Sequence, residues 1–176
     1  EWRKGWHPDR ARPKGAPETV LIVGAGPTGL GAALQAAKRG YKVTLAEATA
    51  TLGGRVAQER QLPGLSAWGR VADYRTGQLA PLPNVDIYRD SLLTPEDALA
   101  MGADHVAIAT GSSWRRDAVA RLHLHGIPTD PAMPLYTPDD LMAGRCPEGQ
   151  TVALYDDDHF YMGSVLAELL VAKGNK

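Results

Sequence analysis

The run Gly24-Ala25-Gly26-Pro27-Thr28-Gly29 closes an apolar stretch, Val20-Leu21-Ile22-Val23, and opens an Ala-rich one with helical character. Glycines at that spacing, between a β-type run and a helix, suit the binding of a dinucleotide's phosphates. Gly24 permits a tight turn, and Gly26 leaves room for a pyrophosphate against the main chain. Gly29 lets the helix pack closely on the sheet. The helix N-terminus then offers unpaired N–H groups and a partial positive charge to an anion. Glu47 follows the next apolar run, Val43-Thr44-Leu45-Ala46. A carboxylate there can accept hydrogen bonds from both ribose hydroxyls of an adenosine and repels a 2′-phosphate, which disfavours NADP.

These residues meet only if the chain forms a βαβ unit. Residues 19–24 read as a strand, 27–39 as a helix stopped by Gly40, and 42–47 as a second strand, parallel to the first through a right-handed crossover. A long irregular stretch follows, punctuated by Gly53-Gly54-Arg55 and Leu62-Pro63-Gly64. A helix is predicted over 67–80, carrying Trp68, Val71, Tyr74 and Leu79. Val85-Asp86-Ile87-Tyr88 alternates like a short strand. Thr94-Pro95-Glu96-Asp97 has the cap, the first-turn proline and the acids of a helix start. His105-Val106-Ala107-Ile108-Ala109-Thr110-Gly111 reads as a buried central strand ending in a turn. Residues 112–150 are loop-rich, with many prolines. Thr151-Val152-Ala153-Leu154-Tyr155 reads as a further strand, feeding an amphipathic helix that begins near Ser164 and stops at Gly174. The fold class is α/β, a Rossmann-like parallel sheet with flanking helices, truncated at its C-terminus.

Bulk properties narrow the partners. With 176 residues and a net charge of −1, nothing points to nucleic acid or to an anionic membrane surface. No apolar run approaches the roughly 18 residues that span a bilayer. The single Cys146 excludes an internal disulfide framework. The polar start has no signal peptide, so a cytoplasmic setting is the default expectation. Both ends read as cut. The basic, Pro-rich opening resembles a linker, and the last helix lacks the strand that normally follows in an α/β chain.

Gly24-Ala25-Gly26-Pro27-Thr28-Gly29, Leu52-Gly53-Gly54-Arg55 and Ala109-Thr110-Gly111 together resemble flavoproteins of the glutathione-reductase kind, with two dinucleotide domains. More narrowly, the chain is similar to the nucleotide-binding region of the trimethylamine dehydrogenase, histamine dehydrogenase and dienoyl-CoA reductase family. Gly5-Trp6-His7-Pro8, Leu62-Pro63-Gly64, Pro138-Asp139-Asp140-Leu141 and Tyr155-Asp156-Asp157-Asp158-His159 carry that likeness. It implies an oxidoreductase with an N-terminal barrel holding FMN and a 4Fe-4S cluster, absent from this chain, and an electron-transferring flavoprotein as partner. It also allows a homodimer. The implied division is 1–17 as a linker from that barrel, 18–148 as an ADP- or FAD-type domain, and 149–176 as the start of a second, degenerate nucleotide domain. The region is expected to bind a nucleotide and to catalyse nothing by itself.

Within the family the dienoyl-CoA reductases hold FAD in the first site and NADP in a second, whereas the amine dehydrogenases carry ADP in place of FAD. Here the second junction, Tyr155 to Gly163, has no spaced glycines and three aspartates where phosphates would approach. Each like charge there costs on the order of 1 kcal/mol even in high dielectric. The amine dehydrogenase branch therefore fits better. The implied site has Gly24, Ala25, Gly26, Pro27, Thr28 and Gly29 cradling the diphosphate, with Glu47 and the adjoining Ala48 at the ribose. Gly54 and Arg55 approach a phosphate, backbone groups of Ser91 and Leu92 meet the adenine edge, and Thr110 and Gly111 close the site. An FAD-holding reductase and a non-catalytic packing or docking domain are the competing readings.

Other conspicuous residues have plainer explanations. His123 and His125 lack a completing metal ligand and read as polar surface. Asp156, Asp157, Asp158 and His159 lack calcium-loop spacing and read as helix capping. Arg115 and Arg116 read as a solvated loop. Trp2, Trp6 and His7 read as an arm packed on a neighbouring domain.

Overall fold

The computed structural model describes residues 12–119, 124–157 and 159–176. Trp2, Trp6, His7, His123 and Asp158 lie outside them. The described residues divide into two compact units, one falling within 1–57 and 69–111, the other within 58–68 and 112–176.

In the first unit β1 (Thr19–Val23) leads into α1 (Pro27–Lys38) and β2 (Lys42–Ala46). After α2 (Arg55–Glu59) and a 3-10 turn at Ser66–Gly69 come α3 (Arg70–Leu79), β3 (Val85–Tyr88), α4 (Pro95–Ala100) and β4 (His105–Ile108). The four strands are all parallel, in the order β3-β2-β1-β4. In register, Ile22 lies between Leu45 and Ala107.

α1 forms because Leu30, Ala33, Leu34 and Ala37 recur at helical spacing, and all four are buried. They pack with Ile22, Val43 and Leu45, and small alanines let the helix lie close to the sheet. Gly40, with a φ of 92°, ends the helix. Asn84 then ties β3 to that corner: its Nδ2 donates to the carbonyls of Ala37 and Tyr41 at 2.9 and 2.7 Å. At the same, N-terminal strand ends, Asp104 accepts from the Thr19 N–H and hydroxyl at 2.7 and 2.8 Å. Those bonds hold the Asp104 carboxyl below its ordinary range, the Thr19 amide contributing most.

The expected elements of the first unit form, with two corrections. β4 is not a buried central strand: it lies at an edge of this sheet, and Ile108 is 78 % exposed. A short apolar run has the same pattern whether or not both its faces are covered, so hydrophobicity alone does not place it. The stretch after β2 is also more ordered than expected, since it includes α2.

The second unit packs Leu62 and Leu65 with Leu141, Met162, Leu166 and Leu170, from α5 (Pro138–Met142) and α6 (Tyr161–Ala172). Trp68 lies 4.7 Å from Tyr161, ring centre to ring centre. α5, unexpected in a loop-rich region, starts on a reciprocal cap in which Thr137 and Asp140 exchange side-chain and backbone hydrogen bonds. Asp140 is 1 % exposed and also binds the guanidinium groups of Arg116 and Arg145. Arg115 pairs with Asp117. The Arg115 and Arg116 side chains stay more than half exposed, as a solvated loop implies, and these ion pairs tether them. The Thr137 amide, followed by Arg145, drives the Asp140 pKa far below the carboxylate range.

Residues 151–155 form no strand. The Lys176 N–H donates to the Gln150 carbonyl and the Val152 N–H to the Lys176 carbonyl, both at 2.8 Å. That is a single parallel bridge, and a strand needs a ladder of them. Asp156 accepts from the His159 N–H at 3.1 Å and sits against Gly163 on the first turns of α6. It thus serves the turn into the helix, while the N-cap residue Phe160 makes no side-chain cap.

Candidate nucleotide-binding site

The glycine-rich turn joins β1 to α1. Gly24 has a φ of 99°, and a Cβ there would stand 2.5 Å from the Ala109 carbonyl oxygen and 3.1 Å from the Thr110 nitrogen. Glycine is required twice over, by conformation and by the close passage of the chain leaving β4. That passage brings Thr110 to the turn, and Gly111 follows it with a φ of 78°.

Gly26 is different. Its φ of −70° and ψ of −177° are open to any residue. A Cβ at this position would have nothing within 4 Å. The fold places no demand on this glycine, so its missing side chain leaves space beside the turn. Gly26 is also the N-cap of α1 and supplies no side-chain cap. The Leu30 N–H makes the first intrahelical bond, to the Gly26 carbonyl at 2.9 Å. Pro27 has no N–H, and the amides of Thr28 and Gly29 point out of the helix end towards that space.

The chain after β2 returns to the same place. The Gly53 N–H donates to the Ala25 carbonyl at 2.8 Å. A Cβ on Gly54 would lie 3.0 Å from the Gly26 Cα. Arg55 therefore starts α2 beside the turn, half-buried and already engaged in interactions of its own.

Glu47 is 8 % exposed. Its Oε2 accepts from the Ala25 N–H at 2.8 Å. Its Oε1 accepts from the Thr49 N–H at 3.0 Å and the Thr49 hydroxyl at 2.9 Å. The carboxylate thus sits at the glycine turn, tied to it by one bond, with Ala48 exposed alongside. Thr49 escaped the sequence reading. The available signal was a threonine two residues after an acid, a spacing at which local side-chain hydrogen bonds recur.

Of the groups expected at the adenine edge, the Ser91 amide and hydroxyl are both engaged within the protein. The Glu47 carbonyl accepts the Ser91 N–H at 2.8 Å, so that amide is spent inside the protein. The Ser91 hydroxyl donates to the Arg89 carbonyl at 2.9 Å. Leu92 is exposed beyond it. Ala46, Tyr88, Ser91, Leu93 and Met101 line an open hollow of about 140 Å³ at the ends of β2 and β3. Leu93 and Met101 were not anticipated, because an apolar hollow between loops has no periodic signature.

Gly24–Gly29, Glu47, Gly54, Arg55, Thr110 and Gly111 all belong to the first unit, around the C-terminal ends of parallel strands. Ligands of open α/β sheets bind at such ends. Among the described residues, no three His, Cys, Asp or Glu side chains converge as a metal site. None of the described helices is long and apolar enough to cross a membrane.

Residues 22–88 match the family model of the NAD(P)-binding Rossmann-like domain. Over 182 aligned residues the chain is 36 % identical to dimethylamine dehydrogenase of Hyphomicrobium sp. (strain x), a match covering 99 % of this chain and 25 % of that enzyme. The structure of histamine dehydrogenase from Rhizobium sp. 4-9 superposes with a TM-score of 0.94 at 60 % identity, over 98 % of this chain and 27 % of that one. The chain is a homologue of these amine dehydrogenases. The structure of 6-hydroxypseudooxynicotine amine oxidase from Pseudomonas geniculata N1 is also similar, with a TM-score of 0.92, 47 % identity, and coverage of 99 % of this chain and 26 % of that one. The homologue spans about a quarter of the length of the relatives it matches.

Proposed function

We propose that the first unit binds ADP, as the nucleotide-holding region of an amine dehydrogenase-like oxidoreductase. The observation that carries this reading is Gly26, whose missing side chain answers to no neighbour in the protein. A diphosphate in that space would accept from the Thr28 and Gly29 amides, with Arg55 nearby as a charged donor. Glu47 would take the ribose and repel a 2′-phosphate. The same cradle suits the ADP half of FAD, so an FAD-holding reductase is the alternative occupant.

Residues 18–148 would form this nucleotide domain, and 149–176 the start of a second one whose three aspartates disfavour a nucleotide. An FMN and a 4Fe-4S cluster are proposed for the rest of the relatives' length, with an electron-transferring flavoprotein as partner. The residues here do not fit the cluster: one cysteine cannot supply its four thiolates. No catalytic step is assigned to these 176 residues.

Denaturing extraction of the purified chain, with mass spectrometry for ADP, AMP, FAD and NAD, tests the reading. ADP without flavin is the expected result. FAD would move the chain to the reductase branch. An empty extract from a folded chain that also fails to take up added ADP would overturn the proposal.

A further inference from the structure

We infer that the Thr49 hydroxyl competes with the nucleotide's ribose for Glu47, and so weakens and narrows ribose recognition. The inference rests on the ADP reading above and concerns how that one carboxylate is shared.

A carboxylate offers about four acceptor directions, two on each oxygen. Glu47 has already given three of them to the protein. Oε2 holds the Ala25 N–H, and Oε1 holds both the Thr49 N–H and the Thr49 hydroxyl. One direction remains, on Oε2, although a ribose presents two hydroxyls. The bonds from Ala25 and from the Thr49 amide have backbone N–H donors, placed by the fold. The hydroxyl is the contact that can yield.

It also has somewhere to go. The Thr51 carbonyl oxygen lies 3.0 Å from Thr49 Oγ1, almost the same distance as Glu47 Oε1. A hydroxyl has one proton, so it donates fully to one of the two. A charged acceptor makes the stronger bond, which favours Glu47 while the ribose is absent. A second ribose hydroxyl can take Oε1 only by turning the Thr49 proton to the weaker acceptor at Thr51. The three donors also spread the carboxylate's charge, and removing one leaves a stronger acceptor for the ribose. Thr49 is exposed, and its amide stays in place when the side chain changes, so Glu47 keeps two of its three anchors.

The test compares the native chain with Thr49→Val, which keeps the shape and removes the proton, and with Thr49→Ser, which keeps the hydroxyl. Each is titrated calorimetrically with ADP, 2′-deoxy-ADP and 3′-deoxy-ADP. Thr49→Val should bind ADP roughly three- to tenfold more tightly, the scale of one modest hydrogen bond. The gain should vanish with one of the two deoxy analogues, whichever lacks the competing hydroxyl. Thr49→Ser should match the native chain, and Thr49→Ala should repeat the gain if the valine variant folds poorly. Equal or weaker ADP binding by Thr49→Val and Thr49→Ala, with the native chain binding normally, would overturn the competition alone. A folded native chain that binds no ADP would overturn the functional reading and the competition with it.

Discussion

The Cα of Gly29 stands over the carbonyl oxygen of Gly24 with no room for a methyl group between them. The first turn of α1 is pressed onto the turn that precedes it, and a Cβ on Gly29 would also come within 3.4 Å of the Ala109 Cβ. Backbone cannot swing aside as a side chain can. Gly29→Ala must therefore displace the helix or the turn, at a cost of about 2 to 3 kcal/mol. Urea denaturation should record that loss, together with at least a tenfold loss of ADP affinity.

Gly26→Ala makes the opposite prediction. Its backbone angles suit alanine and its surroundings are empty. Stability should change by less than about 1 kcal/mol, while ADP binding falls more than tenfold because the methyl group fills the phosphate's approach. Parallel denaturation and calorimetry would check the split. Loss of stability without loss of binding would refute the assignment of that space.

Glu47→Gln keeps the side chain's shape but removes the charge and one acceptor, because the amide NH2 cannot accept as Oε2 does from the Ala25 N–H. ADP should bind about tenfold more weakly, in line with the greater strength of charge-assisted bonds. A 2′-phosphorylated ADP should lose less, or gain, since the repulsion is gone. The ratio of the two affinities is the quantity to measure.

The caps on α4 and α5 share one chemistry. Thr94 and Asp97, like Thr137 and Asp140, bond reciprocally. Thr94→Ala should cost about 1 kcal/mol. Thr137→Ala should cost at least as much, since Thr137 is buried and its partner also holds Arg116 and Arg145. Thermal melts of the two variants would rank them.

Asp140 gives an acid dependence with a definite sign. Its pKa is lowered in the folded chain, so its contribution is complete above the unfolded carboxylate value, near 3.9. It is lost as pH falls from there through the folded value. Asp140→Asn should lower stability at pH 7 and flatten the decline below about pH 4. Unfolding midpoints from pH 2 to 7 would show both. An unchanged acid slope would remove Asp140 from the account.

The βαβ unit was legible in the residues because its signals are local. Alternation of apolar residues, a glycine needed at positive φ and a stop at Gly40 each depend on a few neighbours. So does the cap pattern of Thr94-Pro95-Glu96-Asp97. Thr137-Pro138-Asp139-Asp140 carries the same pattern, and α5 could have been read from it; the surrounding prolines obscured it. α2 has no comparable cap and remained hidden.

By itself, the sequence determined the parallel order of β1 and β2, the phosphate-type turn and the acid at the end of the second strand. It did so because glycine stereochemistry and side-chain charge are properties of single residues. Tertiary structure alone decided the rest. It put β4 at an edge of the sheet, laid the chain after Ala109 against Gly24, and left the side-chain position of Gly26 open. It spent the Ser91 amide on the Glu47 carbonyl and set two Thr49 donors on the Glu47 carboxylate. These depend on distances between segments far apart along the chain, and on which of several acceptors each donor reaches. No local pattern encodes that choice.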